Sequence, residues 1–209
     1  MFKKVCYCSL LIVFSVLISA CHKSSKQAYL PAGTVVLALG DSLTFGYGAT
    51  PETSYPHRLA EISGWEVVNG GLSGDTSAQA LARLPALLEE YHPKFVIISI
   101  GGNDFLRHQN PQGTRRNIEQ MIQESRAANA EVLLVGIPSL SSSSLLGFPS
   151  DHELYQQIAE KEKVPLFAEA WSKVLKKSEW RSDQVHPNAQ GYAVFTDELV
   201  KYLRETGRL

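Results

Sequence analysis

The chain has 209 residues, 44% from the apolar set and 20% charged, with 20 Lys+Arg against 21 Asp+Glu. That length suits one ordinary domain, and the near-neutral charge gives no basis for a nucleic-acid partner. All three cysteines, Cys6, Cys8 and Cys21, fall in the first 21 residues. Everything beyond Cys21 therefore lacks the thiols for a disulfide framework, a cysteine-ligated zinc or a Cys nucleophile, and must be stabilised by a packed core.

The first element reads as a targeting segment. Lys3 and Lys4 precede an uncharged, mostly apolar run from Val5 to Ala20, ending in Ile18-Ser19-Ala20-Cys21. A basic start, an apolar stretch and small residues at its end are the parts of a secretory signal peptide. The run falls short of the ~20 apolar residues of a membrane span, although an uncleaved anchor is the competing reading. Ile-Ser-Ala-Cys resembles the lipobox of bacterial lipoproteins, which implies a signal peptide over 1–20 and a lipidated Cys21. It also implies a membrane-tethered protein of the cell envelope. His22 rather than Asp after the cysteine points to the outer membrane of a two-membrane cell. Residues 21–33 then read as the lipidated cysteine and a polar linker, and 34–209 as the folded domain.

From Thr34 onward short apolar runs alternate with longer amphipathic stretches. Val35–Leu39, Glu66–Val68, Phe95–Ile100, Val132–Val135 and Val164–Phe167 are strand-like, bounded by Gly, Asn, Pro or charge. Between them, Ile118, Met121, Ile122 and Ser125 fall on one helical face, with Arg115, Arg116, Glu119 and Glu124 directed elsewhere. Pro85 predicts a kink or a restart in the helix from Ser77 to Glu90. Near the C-terminus Tyr192, Phe195, Leu199 and Tyr202 recur at helical spacing, as core packing does. Strands alternating with helices predict one α/β domain with a mostly parallel sheet, whose ligands bind at the carboxyl ends of the strands.

Four polar blocks stand where such a site would be. Gly40-Asp41-Ser42-Leu43 follows the first strand. There Ser42 can present its hydroxyl with its own N–H free for an oxyanion, or simply cap a helix. Asn69-Gly70-Gly71-Leu72-Ser73-Gly74-Asp75 follows the second strand, and its glycines allow either close approach to a ligand or a plain turn. Gly101-Gly102-Asn103-Asp104 follows the third, with Asn103 a side-chain donor or a turn residue. Asp183-Gln184-Val185-His186-Pro187-Asn188 precedes the last helix. An Asp three residues before a His can hold the imidazole through Nδ1 and leave Nε2 to take a serine proton.

The other polar candidates lack this context. His57, His92, His108 and His152 have no acid at that spacing and suit surface or helix-end positions. His152-Glu153 begins like a zinc-binding HExxH, but Gln156 removes the second ligand. There is no GxSxG and no GxxxxGK. Asp41 and Asp75 read as turn-holding residues.

Taken in order, GDSL at Gly40–Leu43, the glycine block through Gly74, GGND at Gly101–Asp104 and DxxHPN at Asp183–Asn188 resemble the SGNH, or GDSL, hydrolases. GDSLTFGYG, VVNGGLSGDT, LARLPALL and GGNDFLR resemble the bacterial arylesterase, thioesterase and lysophospholipase subgroup. The resemblance implies a flavodoxin-like, three-layer α/β/α sandwich with a five-stranded parallel sheet. It implies Ser42 as nucleophile, His186 as general base and acid, Asp183 as its orienting partner, and an oxyanion hole from the Ser42 and Gly74 N–H groups and the Asn103 amide. No metal or cofactor is implied, and the expected partner of a monomeric enzyme is a small-molecule or lipid ester. A carbohydrate O-acetylesterase is the alternative, and a noncatalytic scaffold lipoprotein is disfavoured by the intact blocks. Residues 139–149 depart from the subgroup: serine-rich and ending in Leu145, Leu146 and Phe148, they read as either an acyl-admitting lid or an ordinary surface loop.

Overall fold

A computed structural model of the chain describes residues 27–139 and 149–209. Cys21, the targeting segment and most of the 139–149 loop lie outside the described residues. Five strands form the centre: β1 (Val35–Gly40), β2 (Glu66–Gly71), β3 (Phe95–Ser99), β4 (Glu131–Val135) and β5 (Leu166–Phe167). All pair in parallel, in the order β2-β1-β3-β4-β5. β3 is wholly buried and β1 and β4 nearly so. This is why these segments are continuous aliphatic runs rather than alternating ones: helices cover both faces.

On one face α3 (Ser77–Tyr91) packs on α5 (Pro111–Ala127), and α5 on α6 (Leu154–Glu162). On the other, α2 (Tyr55–Ser63) and α7 (Ala170–Leu175) pack on α8 (Ala189–Glu205). Two one-turn helices, α1 (Ser42–Phe45) and α4 (Gly102–Leu106), sit at the carboxyl ends of β1 and β3. The result is the expected three-layer α/β/α sandwich. The C-terminal stripe is core: Tyr192, Phe195 and Leu199 are fully buried, and Phe195 stacks on Trp171 at 3.6 Å between ring centroids. Trp171 in turn donates from Nε1 to Ser99 Oγ at 3.1 Å, joining the aromatic cluster to the end of β3.

Three details differ from the sequence expectation. α3 runs unbroken through Pro85; a proline removes one N–H and one intrahelical bond, and packing of α3 on α5 and β1 holds the helix together. Glu119, expected on the solvent side of α5, is buried and accepts from Lys161 Nζ of α6 at 2.6 Å. The packed body also begins before Thr34. Gln27 and Leu30 N–H groups donate to Thr206 O and Arg208 O at 2.8 and 3.0 Å, and Leu30 is buried. Arg208 is itself buried, forks onto both oxygens of Glu131 at 2.9 and 2.7 Å, and donates to Ala28 O and Gln27 Oε1. The rear part of the 21–33 segment is thus stitched to the domain rather than a free spacer, because the C-terminus supplies partners for its backbone.

Candidate active site

β1 pairs with β2 on one side and β3 on the other, so the chain leaves β1 and β3 at the point where strand order reverses. Crevices in open parallel sheets form there. Ser42 is the first residue of α1, and the N-cap is Asp41, whose carboxylate accepts from Leu43 N at 3.1 Å. The capping alternative for Ser42 is therefore taken by its neighbour, leaving the serine hydroxyl for other work. α1 lies directly on the strand ends because Gly71 has no side chain: a Cβ there would fall on the Thr44–Phe45 backbone.

His186 Nε2 lies 2.9 Å from Ser42 Oγ, and His186 Nδ1 lies 2.8 Å from Asp183 Oδ2. The other Asp183 oxygen accepts the Val185 and His186 N–H groups, both at 2.8 Å. Partial burial works to raise the Asp183 pKa, but the Val185 N–H, the His186 ring and its charge, and the His186 N–H outweigh it and hold the carboxyl below its ordinary range. Ionised Asp183 fixes a proton on Nδ1 and leaves Nε2 as the acceptor toward serine. The turn is anchored at both ends: Ser182 N donates to His186 O at 2.9 Å, and Asn188 caps α8 through Gly191 N while its amide donates to Glu179 O. Tyr47 covers the imidazole, with ring centroids 4.5 Å apart, and its carbonyl accepts from Tyr192 Oη at 3.0 Å.

Gly74 adopts φ +88°, a left-handed conformation that favours glycine. Among the described residues, neither the Ser42 nor the Gly74 N–H has a hydrogen-bond acceptor. Asn103, in α4, donates one amide hydrogen to Asp75 O at 2.9 Å; its amide carries a second donor. Ser42, Asn103 and His186 border a cleft of about 110 Å³. Its walls are mainly Leu43, Leu106, Ile137, Pro138, Leu175 and Val185. Three polar side chains meet an apolar wall, as a site needs if it is to hold an acyl group beside a nucleophile.

The other described histidines sit elsewhere. His57 faces Glu61 at 3.5 Å on the exposed side of α2, His92 is the left-handed C-cap of α3, and His108 follows α4. His152 stacks on Phe105 and accepts the Leu154 N–H at 3.2 Å, and burial lowers its pKa. Asp75 does more than hold a turn: it pairs with Arg83 at 2.7 Å. Tyr47, Arg83 and Arg107, which donates to Gly74 O at 2.9 Å, are site-region residues that the sequence reading did not assign. Tyr47 and Arg83 do fall inside the GDSLTFGYG and LARLPALL stretches, and Arg107 inside GGNDFLR.

The model of the GDSL-like lipase/acylhydrolase family matches residues 38–194. The chain is 37% identical over 176 residues to the thioesterase 1/protease 1/lysophospholipase L1 of Escherichia coli K12, covering 83% of this chain and 85% of that protein. It is 32% identical over 201 residues to an arylesterase of Vibrio mimicus, covering 91% and 98%. Among solved structures, the psychrotrophic esterase EstA from Pseudoalteromonas sp. superposes with a TM-score of 0.73 at 30% identity, covering 82% of this chain and 97% of that one. Four blocks in order, a parallel sheet that gathers them at one edge, and a family match spanning most of the domain lead to one conclusion: the chain belongs to the GDSL-like lipase/acylhydrolase family and is a carboxylic ester hydrolase.

Proposed function

We propose that the protein hydrolyses short- to medium-chain acyl esters, with thioesters and lysophospholipids in its range, through Ser42, His186 and Asp183. The observation that carries this reading is the unbroken series Asp183 Oδ2, His186 Nδ1, His186 Nε2 and Ser42 Oγ, with links of 2.8 and 2.9 Å, ending at an apolar cleft. In the first half-reaction His186 Nε2 takes the Ser42 proton as Oγ bonds to the ester carbonyl carbon. The negative charge that develops on the carbonyl oxygen meets the Ser42 and Gly74 N–H groups and the free hydrogen of the Asn103 amide. Collapse breaks the bond to the leaving oxygen or sulfur, which receives the proton from His186. Water then attacks the acyl-serine with His186 as base, releasing the acid and restoring Ser42. Apolar walls favour an acyl chain over an acetylated sugar, and the similar proteins named for thioester, aryl ester and lysophospholipid cleavage support the same range.

The test is hydrolysis of p-nitrophenyl esters of graded chain length, acyl thioesters, lysophospholipids and acetylated glycans by residues 22–209. Ser42→Ala is expected to lose turnover and to form no covalent adduct with an alkylphosphonate ester, whereas intact protein is expected to form one at Ser42. Asn103→Ala should lower kcat by about 10²- to 10³-fold while staying folded. Retained turnover in Ser42→Ala would sink the nucleophile assignment, and preference for acetylated glycans over every acyl ester would replace the substrate class. The N-terminal reading, a lipidated Cys21 holding the enzyme in the cell envelope, is checked by labelled-lipid incorporation into full-length protein and its loss in Cys21→Ser.

A further inference from the structure

Arg83, on α3, lies behind the catalytic edge and does not border the cleft. Its Nε donates to Asp75 Oδ2 at 2.7 Å and its Nη2 donates to Gly40 O at 2.8 Å. One guanidinium therefore grips two loops. Gly40 stands two residues before Ser42, and Asp75 directly follows Gly74. The same loops touch once more, through Leu72 N donating to Gly40 O at 3.1 Å. The grip extends to the third block, since the Asp75 carbonyl accepts the Asn103 amide at 2.9 Å. Arg83 is thus bonded to the loops that carry the Ser42 and Gly74 N–H groups, and through Asp75 it is linked to Asn103.

We infer that Arg83 is a positioning residue for the oxyanion hole, setting the separation and direction of the Ser42 and Gly74 N–H groups. The inference rests on the reading of those groups as oxyanion donors. The segment that bears Gly74 has little intrinsic stiffness, because a glycine at φ +88° has many alternatives open to it. Its direction must be imposed from outside. Asp75 is 6% exposed and Arg83 25%, so the pair is shielded enough to be held in place. A planar fork can serve a carboxylate and a carbonyl at once from fixed angles, whereas an ammonium is a single point. Oxyanion donors act only when aimed at where charge appears, and small misplacements are costly in rate.

Loss of an ordinary fold-stabilising ion pair would lower the melting temperature and leave kcat unchanged. The discriminating measurement is kcat and KM per active site, with active sites counted by the p-nitrophenol burst from p-nitrophenyl butyrate. Arg83→Met is expected to lower kcat about 10- to 100-fold with KM within about twofold. Arg83→Lys, the variant chosen to fold if the methionine does not, should recover only a small part of the loss. In Arg83→Ala, added guanidinium should restore kcat where ammonium at equal ionic strength does not. Lys161→Met, which removes a comparable buried-acid pair to Glu119 between α5 and α6, serves as the control with unchanged kcat. A kcat per active site within twofold of the parent in the Arg83 variants, full recovery by lysine, or a loss confined to KM would each overturn the inference. Ser42→Ala in the same assay separates the two readings: if it keeps its burst, the nucleophile assignment fails. If it is dead while the Arg83 variants turn over normally, only the role of Arg83 fails.

Discussion

Asp41 shows how far one buried carboxyl can depart from its role in sequence. It caps α1, yet it is fully buried, and burial pushes its pKa up to about 7, against the pull of the Leu43 N–H and with Asp104 and Asp75 adding repulsion. The folded protein therefore keeps a proton that the unfolded chain, with a carboxyl near 3.8, has released. Stability should fall as pH rises from about 4 to 7 and level off above, a loss of up to about 4 kcal/mol from this group. Asp41→Asn keeps an oxygen for Leu43 N and cannot ionise. It is expected to melt higher than the parent at pH 8, with the difference closing toward pH 4, as followed by thermal unfolding across that range. The sequence shows an aspartate at a turn; its protonation is set by which elements close over it, and only the fold supplies that.

At the scale of elements, period and composition carried most of the information. The five strand runs are recognisable because a doubly covered parallel strand must be aliphatic throughout, and the α8 stripe because 3.6-residue spacing places Tyr192, Phe195 and Leu199 on one side. Phe195 packs on Trp171, Tyr55 and Phe167. Phe195→Ala should cost about 3–5 kcal/mol, measured by denaturant unfolding, and should loosen the Trp171 bond to Ser99 seen in indole fluorescence. What the pattern could not show was partner choice. Glu119 looked solvent-facing because its lysine comes from α6, 42 residues away in sequence. Arg83 and Arg107 were not assigned because their partners include main-chain carbonyls 43 and 33 residues distant, and a carbonyl has no residue type. At Pro85 the helix does not restart, since packing outweighs a single missing hydrogen bond.

Across the whole molecule the two edges of the sheet have different tasks. The carboxyl edge gathers all four polar blocks, which is why order along the chain was enough to bring the candidate site residues together. The amino edge holds the chain ends together, through buried Arg208 between Glu131 and the Gln27–Ala28 segment. The Arg208 hydrogen bonds hold the Glu131 carboxyl below its ordinary range, partly opposed by burial. Its contribution is therefore complete above about pH 4.5 and is lost as pH falls through the lower folded value. Glu131→Gln is expected to cost about 1 kcal/mol at pH 7, modest because Glu131 is half exposed, and less at pH 3. Thermal melts at the two pH values measure this.

That division of edges also fixes how the protein would stand on a support. Leu30 O accepts from Trp65 just before β2, and Glu131 begins β4, so the chain enters the body at the amino ends of the strands. Ser42 and His186 lie at the other ends. A resin or sensor chip holding the chain at Gln27 would touch the amino-edge side of the molecule. The cleft bordered by Ser42 and His186 would then open toward the surrounding medium rather than toward the support.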